Sequence, residues 1–401
     1  MTSASVAGLP PSLAQFSEEQ PTYWPSQHAA WRYIRQVGNP FYRQHADPAY
    51  EESIRLLDIS MDTIPRIGEL DRRLDAMGFG AVGVNGFIPS LAFMGFQAKG
   101  VMPISIDMRI PAHIEYTPSP DIVHEGFGHI SMLASPAYRL VLQRFGELGV
   151  RARGAPEDQE YYEAVRHLSL TDENPDAEKG EKQEARFRFA KADDAAHRIG
   201  SDVRRLAALY WYTVEYGLVQ ANGELKIYGA GLISSIGEGM RCLGDQVKKH
   251  HLTVETAKAR YDITRMQPGL YVADSFERVL DVLGEFEQTM MGGSGSGVEA
   301  IQKPAERTHP YQPTPEQQRL EALYQTIRGV REGKEANSQI RNAWENLQTD
   351  HPDDWLAPLE ILELAVKLGI YPAVQSEIRK HLKRANGNKN LIENGLALIS
   401  D

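Results

Sequence analysis

The pattern of apolar and polar positions predicts a chain that is mainly α-helical, with a small β component. Residues 67–77 place four apolar side chains on one helical face. Similar helical patterns occur in residues 28–34, 50–57, 121–148 and 206–219. Residues 78–111 instead carry repeated Gly and Pro between short apolar runs, which is typical of loops and short strands that line a cleft.

Changes in composition divide the chain into four parts. Residues 1–20 are predicted to form a flexible N-terminal arm, and residues 21–290 a main domain. Within this domain, residues 150–200 are dominated by charge and are expected to form solvated helices or an extended insertion. A run of Gly and Ser predicts a linker over 291–314, followed by a helical C-terminal extension over 315–401.

Two apolar stripes at helical spacing lie in the C-terminal extension. One includes Leu320, Leu323 and Ile327, and the other includes Leu356 and Leu359. Such stripes usually pack in the core of a helical hairpin. The alternative is that these helices form a homo-oligomer or bind a protein partner.

Charge and cysteine content exclude several classes of protein. A formal net charge of −11 argues against nucleic-acid binding, because phosphate groups require a basic surface. The single cysteine, Cys242, cannot form an intrachain disulfide and fits a reducing compartment. No signal-peptide pattern opens the chain, and no apolar run is long enough to span a membrane. We therefore expect a cytoplasmic protein without a membrane partner.

His124 and His129, with Glu125 between them, are the strongest candidates for chemistry. Zinc proteases of the HExxH type carry their histidines four residues apart, on one helical face. A separation of five residues rotates the side chains apart by about 140° on an ideal α-helix. They could share a metal only if the turn is distorted, for instance by a π-bulge. The motif indicates a metal site of another kind, and an ordinary pair of helix histidines is the alternative.

An iron site built from two histidines and one carboxylate needs a third ligand. Glu215 is the best candidate, because it lies in an apolar, aromatic helix where an unpaired carboxylate is costly to bury. A buried ion pair with an arginine such as Arg205 is the alternative. Asp121 could accept the second ring N–H of His124, or it could cap the helix that follows Pro120.

Five segments together resemble the pterin-dependent aromatic amino acid hydroxylases. They follow the order typical of that family and extend across residues 21–290, but not into the C-terminal extension. The segments are PDIVHEGFGH at 120–129, YWYTVE at 210–215, KIYGAGLISSIGE at 226–238, YDITRMQP at 261–268 and YVADSF at 271–276.

The resemblance implies a catalytic domain that uses iron(II), dioxygen and a tetrahydropterin, either tetrahydrobiopterin or a related pterin. It implies His124, His129 and Glu215 as iron ligands, with Glu125 as a catalytic glutamate near the pterin. Residues 84–90 resemble the pterin loop of the family, and an aromatic ring such as Phe93 suits a flat heterocycle, although plain core packing is its alternative. The residues implied to contact the pterin are Gly86, Phe87, Ile88, Ser90, Phe93, Glu125, Ala207 and Tyr210.

The same resemblance implies a site for a free aromatic amino acid. Arg109 is similar to the arginine that binds the substrate carboxylate, a task suited to a guanidinium group. Ile263 occupies a position where tyrosine-selective members carry an acidic residue, which favours an undecorated ring. The residues implied to contact the substrate are Arg109, Thr117, Pro120, Trp211, Gly231, Ser234 and Ile263.

The predicted reaction is hydroxylation of L-phenylalanine to L-tyrosine, as in the longer bacterial phenylalanine 4-hydroxylases. Tryptophan 5-hydroxylation and phenylalanine 3-hydroxylation are the alternatives within the family. An iron or pterin sensor that acts through its helical tail is the alternative outside catalysis. Such a sensor would be expected to have lost a ligand or Arg109, and neither is lost.

The chain departs from the family pattern at two places. Gly126 and Phe127 replace a Leu-Leu pair beside the predicted metal, which could change the rigidity of the helix. The stretch between His129 and Glu215 is longer than in the animal members, and the charged segment supplies the excess. No regulatory domain precedes the resembling region, so we do not expect feedback control of the animal kind.

Overall fold

The computed structural model describes residues 8–109, 114, 119–173, 177–221, 223–290, 314–331, 335–369, 372–385 and 389–399. The predicted fold class is confirmed, because helices dominate and the strands are few and short. The helices up to the middle of the chain are α1 (Pro11–Ala14), α2 (Pro25–His45), α3 (Ala49–Leu56), α4 (Ile67–Leu74), α5 (Ser90–Ala98), α6 (Pro136–Arg151), α7 (Pro156–Glu173) and α8 (Lys179–Ile199).

The remaining helices complete the main domain and form the C-terminal part. Those of the main domain are α9 (Asp202–Tyr210), α10 (Ala230–Ser234), α11 (Ile236–Cys242) and α12 (Phe276–Thr289). Those of the C-terminal part are α13 (Pro315–Gly329), α14 (Ala336–Asp350), α15 (Leu356–Lys367), α16 (Pro372–Leu382) and α17 (Lys389–Leu398). Among the described helices, none combines the length and the apolar character that crossing a membrane requires.

The strands form two small sheets. In the first, β1 (Gly80–Val84) pairs in parallel with β2 (Val101–Ser105), and both strands are buried along their whole length. The second sheet has the order β4-β3-β6-β5. Its strands are β3 (Leu218–Ala221), β4 (Glu224–Ile227), β5 (Lys248–His251) and β6 (Gly269–Ala273).

Helix α2 lies between the candidate site and the C-terminal helices. On one side, the Tyr42 ring packs edge-on against Phe127 at 5.8 Å between centroids. On the other side, the Arg32 guanidinium forms an ion pair with the buried Glu360 of α15. The Tyr33 hydroxyl donates a hydrogen bond to the carbonyl oxygen of Leu391 in α17. The C-terminal helices therefore pack against the main domain of the same chain.

Three sequence expectations are wrong in their details. The N-terminal arm is not loose over its described part from Gly8, because Leu13 and Phe16 are buried against the β1 strand. Residues 78–111 include a full helix, α5, whose apolar side chains fill the space beside the first sheet. The helix predicted over 206–219 ends by Glu215, because Leu218 and Val219 pair with β6 as strand residues.

The charged segment forms a helical hairpin, α7 and α8, rather than an extended insertion. Its inner face contributes Val165, Leu168, Ala185 and Phe189 to an apolar cluster. The same cluster contains Tyr261 and Ile263 of the main domain. The outer face of α8 is charged and exposed, which explains why the sequence predicted a solvated helix.

Candidate metal centre and adjoining cavity

The two candidate histidines lie at the ends of one π-helical turn, His124–His129. A π-helix closes its hydrogen bonds five residues apart, so it returns residue i+5 to the face occupied by residue i. The two imidazole centroids are 4.9 Å apart, and the rings are nearly perpendicular. The distortion that the five-residue spacing requires is therefore present.

Gly128 allows this turn to pack directly against α10. A side-chain carbon at Gly128 would lie 2.7 Å from the carbonyl oxygen of Ala230, which is closer than such atoms approach in proteins. The close approach places Ser234, at the end of α10, beside the first histidine. The Ser234 Oγ atom is 3.0 Å from Nδ1 of His124.

Glu215 ends a second π-helical turn, Trp211–Glu215, and reaches between the two imidazoles. Its Oε2 atom is 3.3 Å from Nε2 of His124, and its Oε1 atom is 3.1 Å from Nε2 of His129. The Nε2 atom of His129 is buried and has no hydrogen-bond partner of suitable geometry. The alternative partner for Glu215, Arg205, pairs instead with Asp202 at 2.6 Å.

These three side chains offer ligand atoms that all lie within 4.8 Å of one another. Across the described residues, no other group of histidine, cysteine or carboxylate side chains converges in this way. Two imidazoles and one carboxylate are the donor set of mononuclear non-haem iron sites, and they leave positions open for other ligands. His124, His129 and Glu215 could therefore hold iron.

Polar groups behind the ligands fix their orientation. The hydroxyl of Tyr138 is 3.2 Å from Nδ1 of His129, and the hydroxyl of Ser234 is 3.0 Å from Nδ1 of His124. Asp121 instead accepts the backbone N–H of His124 at 2.8 Å, as a helix cap does. The capping interpretation of Asp121 is confirmed, and its contact with the His124 ring is wrong because the Ser234 hydroxyl occupies that position.

The buried titratable groups of the site shift one another's pKa. Burial alone would raise the pKa of Glu215, but the neighbouring His129 and His124 hold it well below its ordinary value. Burial lowers the pKa of His129, which favours the neutral imidazole that metals bind. The Glu215 carboxylate instead outweighs burial at His124 and raises the pKa of that imidazole to about 9. Burial raises the pKa of Glu125 to about 8, and its Oε2 atom has no hydrogen-bond partner.

A loop and a helix beside the metal site form the predicted pterin-binding region. Gly86 has a positive φ of 59°, a conformation that favours glycine. The Phe87 ring stacks on Tyr162 at 5.9 Å, and the Tyr162 hydroxyl donates to the Phe87 carbonyl oxygen at 3.1 Å. Phe93, from α5, is only partly buried and lies 6.2 Å from the His129 ring between centroids.

Arg109 is held rigidly at the edge of the same cavity. Its Nε and Nη2 atoms donate to the two carboxylate oxygens of Asp121 at 2.8 and 2.9 Å. Its Nη1 atom donates to the backbone oxygen of Ser234 at 3.0 Å. The guanidinium is almost completely buried, so its direction is fixed before any ligand arrives.

One cavity brings together nearly all the predicted site residues. His129 lies beneath its floor and is fully buried, and Thr117 lies outside the described residues. The predicted residues that line the cavity are Gly86, Phe87, Ile88, Ser90, Phe93, Arg109, Pro120, His124, Glu125, Ala207, Tyr210, Trp211, Glu215, Gly231, Ser234 and Ile263. Their individual roles stay predictions.

Several lining residues were not predicted. Tyr216 and Tyr261 adjoin or belong to the segments that resemble the family, so their positions could have been suspected. Ser119 lies in the turn before the first histidine and bonds to Ser169 of α7. Tyr161 lies in the charged segment, where no pattern in the sequence indicates a site.

The family model described as biopterin-dependent aromatic amino acid hydroxylase matches residues 18–167 and 196–293. The chain belongs to this family. The expected membership is confirmed on more than half of the chain, and the unmatched residues between 167 and 196 fall within the α7–α8 hairpin. The C-terminal helices lie beyond the match.

Several relatives support the assignment to the hydroxylase family. "Protein henna" of Drosophila melanogaster is 31% identical over 261 residues, covering 64% of this chain and 48% of the relative. The phenylalanine-4-hydroxylase of Chromobacterium violaceum is 27% identical over 287 residues, covering 70% of this chain and 81% of the relative. That of Homo sapiens is 28% identical over 274 residues, covering 67% of this chain and 50% of the relative. The chain therefore spans about half the length of these animal relatives.

Solved hydroxylase structures share the fold. The Chromobacterium violaceum phenylalanine hydroxylase with bound iron(III) and 7,8-dihydrobiopterin aligns with a TM-score of 0.55 and 25% identity. The alignment covers 71% of this chain and 90% of that one. The cobalt-bound form of the same enzyme aligns with a TM-score of 0.54 and 24% identity, covering 74% of this chain and 92% of that one.

Proposed function

We propose that this chain is a monooxygenase that hydroxylates the ring of a free aromatic amino acid, converting L-phenylalanine to L-tyrosine. It would use iron(II), a tetrahydropterin and dioxygen. The observation that supports this most directly is the convergence of His124, His129 and Glu215 at the floor of a cavity that Arg109 and Phe93 also line.

The residues at the floor fit an iron ion. The Nε2 atom of His129 has no hydrogen-bond partner, and the neighbouring histidines hold the pKa of Glu215 well below its ordinary value. An imidazole nitrogen and an ionised carboxylate are therefore available as metal ligands. Iron(II), when bound, would supply the activation of dioxygen that side chains cannot provide. The protein's own part is to leave one face of the ion open and to exclude bulk water with the surrounding aromatic side chains.

The pterin would lie between Phe93 and the loop at Gly86–Ser90. Backbone can approach a flat ring closely at Gly86, and the Phe93 face can stack on it. Glu125 lies between this region and the metal ligands, with its Oε2 atom 4.0 Å from Nε2 of His129. We propose that the Glu125 side chain holds a proton or a water molecule between the pterin and the metal.

The amino acid would bind with its carboxylate towards Arg109 and its ring towards Trp211. Arg109 is oriented by Asp121, so binding requires little further ordering of the guanidinium. Ile263 is buried and apolar in the wall of the cavity, which suits a ring without a hydroxyl group. These features support phenylalanine as the substrate before tryptophan or tyrosine.

The test is turnover of the purified chain with iron(II), tetrahydrobiopterin and each aromatic amino acid in air. Mass spectrometry after chromatography would separate tyrosine from its 3-hydroxyphenyl isomer. We expect tyrosine from phenylalanine, with formation that requires both iron and pterin. A 5-hydroxytryptophan product would support the tryptophan alternative, and the 3-hydroxyphenyl isomer would support a different ring position.

No product from any of the three amino acids would contradict the enzyme proposal. Retained binding of iron and pterin in that case would favour the sensor alternative.

The single cysteine supports a reducing compartment, and we place the activity in the cytoplasm on that basis.

For the C-terminal helices we propose an intrachain role first, because α13, α15 and α17 pack against α2. Light scattering would reveal a homo-oligomer.

A further inference from the structure

We infer that Tyr161, on helix α7 of the inserted hairpin, determines which aromatic ring the cavity accepts. The inference rests on the proposed function. Tyr161 belongs to the charged segment, in which no sequence pattern predicted a functional site. Tyr161 is partly exposed and lines the cavity together with Trp211 and Ile263.

A stack of side chains holds Tyr161 in place. The guanidinium carbon of Arg204 lies 4.3 Å from the Tyr161 ring centroid and 4.4 Å from that of Tyr261. Tyr261 in turn stacks on Trp211 at 4.9 Å, with an angle of 22° between the rings. A buried cation between two aromatic faces is attracted to both. Tyr161, Tyr261 and Trp211 therefore form one wall of the cavity, and Arg204 packs against the rings of Tyr161 and Tyr261 without lining the cavity itself.

Contacts beyond the stack fix the hairpin over the cavity. Arg204 forms an ion pair with Asp193 of α8 and donates to the Tyr261 hydroxyl at 2.9 Å. Tyr162, the next residue in α7, bonds to the carbonyl oxygen of Phe87. Because the hairpin is attached on both the pterin side and the substrate side, it acts as a fixed wall rather than a surface appendage.

The position of this wall gives it an effect on selectivity. An aromatic side chain at the position of Tyr161 limits the length of a ring that the cavity can hold, so a two-ring indole is excluded more strongly than a phenyl group. Removing the Tyr161 ring leaves space that only the larger substrate can fill. Pocket volume of this kind commonly changes the ratio of specificity constants by about tenfold or more.

The experiment compares kcat/KM for phenylalanine and tryptophan in wild type, Tyr161→Ala, Tyr161→Phe and Arg204→Lys. We expect Tyr161→Ala to raise the tryptophan-to-phenylalanine ratio by about tenfold. Tyr161→Phe should keep the wild-type ratio, because the ring and not the hydroxyl forms the wall. Arg204→Lys should shift the ratio in the same direction by a smaller factor, because an ammonium group cannot stack between two rings.

The matched control is Phe187→Ser on the outer face of α8, where the side chain is 68% exposed. It should leave the ratio unchanged. A loss of folding would lower both constants together and would not move the ratio. If Tyr161→Ala does not fold, Tyr161→Leu provides the same comparison. An unchanged ratio in folded Tyr161 and Arg204 variants would overturn the inference.

A binding measurement separates this inference from the proposed function. Equilibrium dialysis of phenylalanine and tryptophan against the iron(II)-loaded protein without oxygen gives the ratio of dissociation constants. If wild type hydroxylates neither amino acid but Tyr161→Ala changes this ratio, the proposed function fails and the inference stands. If wild type is active and neither ratio changes, the inference alone fails.

Discussion

The guanidinium carbon of Arg35 lies 4.8 Å from the centroid of the Phe127 ring, and both side chains are buried. Phe127 belongs to the π-helical turn that contains both histidines, so Arg35 packs directly behind the candidate metal centre. The Nε and Nη1 atoms of Arg35 have no hydrogen-bond partner, and no ion pair to Arg35 occurs within the described part of the chain. Burial lowers the pKa of its guanidinium, as expected for an uncompensated charge.

Phe127→Leu should lower the free energy of unfolding by about 2–4 kcal/mol. The smaller side chain loses edge contacts with the rings of Tyr42 and Tyr50 and removes the aromatic face below Arg35. Urea unfolding followed by circular dichroism would measure the change. Stability equal to wild type would mean that a leucine fills the same space without loss.

Arg35→Met should raise the free energy of unfolding by about 1–3 kcal/mol. The cation–π contact with Phe127 is worth about 2 kcal/mol when desolvated, whereas burying an unpaired charge costs several kcal/mol. The double variant with Phe127→Leu should show a smaller loss than Phe127→Leu alone. A destabilised Arg35→Met variant would show that the guanidinium contributes more through packing than it costs through its charge.

Glu215→Ala should abolish stoichiometric iron binding, because it removes the only carboxylate that reaches both imidazoles among the described ligand atoms. Glu125→Gln is the matched control, since Glu125 lines the cavity but is not one of the three ligands. We expect Glu125→Gln to retain iron and to lose turnover. Metal content after desalting, measured by mass spectrometry, checks both variants. Full iron content in Glu215→Ala would mean that the third ligand is misassigned.

Glu238→Gln should stabilise the protein in a pH-dependent way. Burial raises the pKa of Glu238 to about 7, against the opposing effects of the Gln267 backbone N–H and Arg241. Below the unfolded value of 4.5 the carboxyl is protonated in both states. As the pH rises from 4.5 to the folded pKa of about 7, the carboxyl ionises in the unfolded chain while the folded chain keeps its proton. This difference lowers the free energy of unfolding of wild type by about 3 kcal/mol.

The free energy of unfolding of the Glu238→Gln variant should therefore exceed that of wild type by up to about 3 kcal/mol near pH 8 and by little near pH 5. Urea unfolding at both pH values gives the comparison. Glu255→Gln, at an exposed position, should change stability by less than about 0.5 kcal/mol at either pH. The same gain at both pH values would show that ionisation of Glu238 is not the cause.

Glu321→Ala should destabilise the contact between the C-terminal helices and α2. The buried Glu321 accepts the backbone N–H of Ser26 at 3.0 Å and also its hydroxyl, in the first turn of α2. Loss of such a cap costs about 1–2 kcal/mol. Thermal and urea unfolding measure the effect, with the exposed Glu345→Ala as control. No difference between the two variants would mean that the hydrogen bonds from Ser26 to Glu321 add nothing to the stability of the protein.

The sequence by itself determined the need for a distorted turn and predicted the three candidate metal ligands. The spacing of His124 and His129 excluded a regular helical site, and the aromatic surroundings of Glu215 made an unpaired carboxylate there improbable. Both inferences depend on local geometry and on the cost of burying charge, which can be read along the chain. The helical fold class was predicted for the same reason, since helical periodicity is a local property.

Only the tertiary structure decided which distant residues share the cavity wall. Tyr161 lies in a charged, outwardly polar segment, and it reaches the cavity only because Arg204 and Tyr261 hold it there. The packing of Arg35 behind Phe127 likewise joins helix α2 to the π-helical turn. Such contacts join residues that are far apart in sequence, and no periodic pattern specifies them. They arise from the packing of whole helices, which brings together side chains whose local sequence gives no sign of their partners.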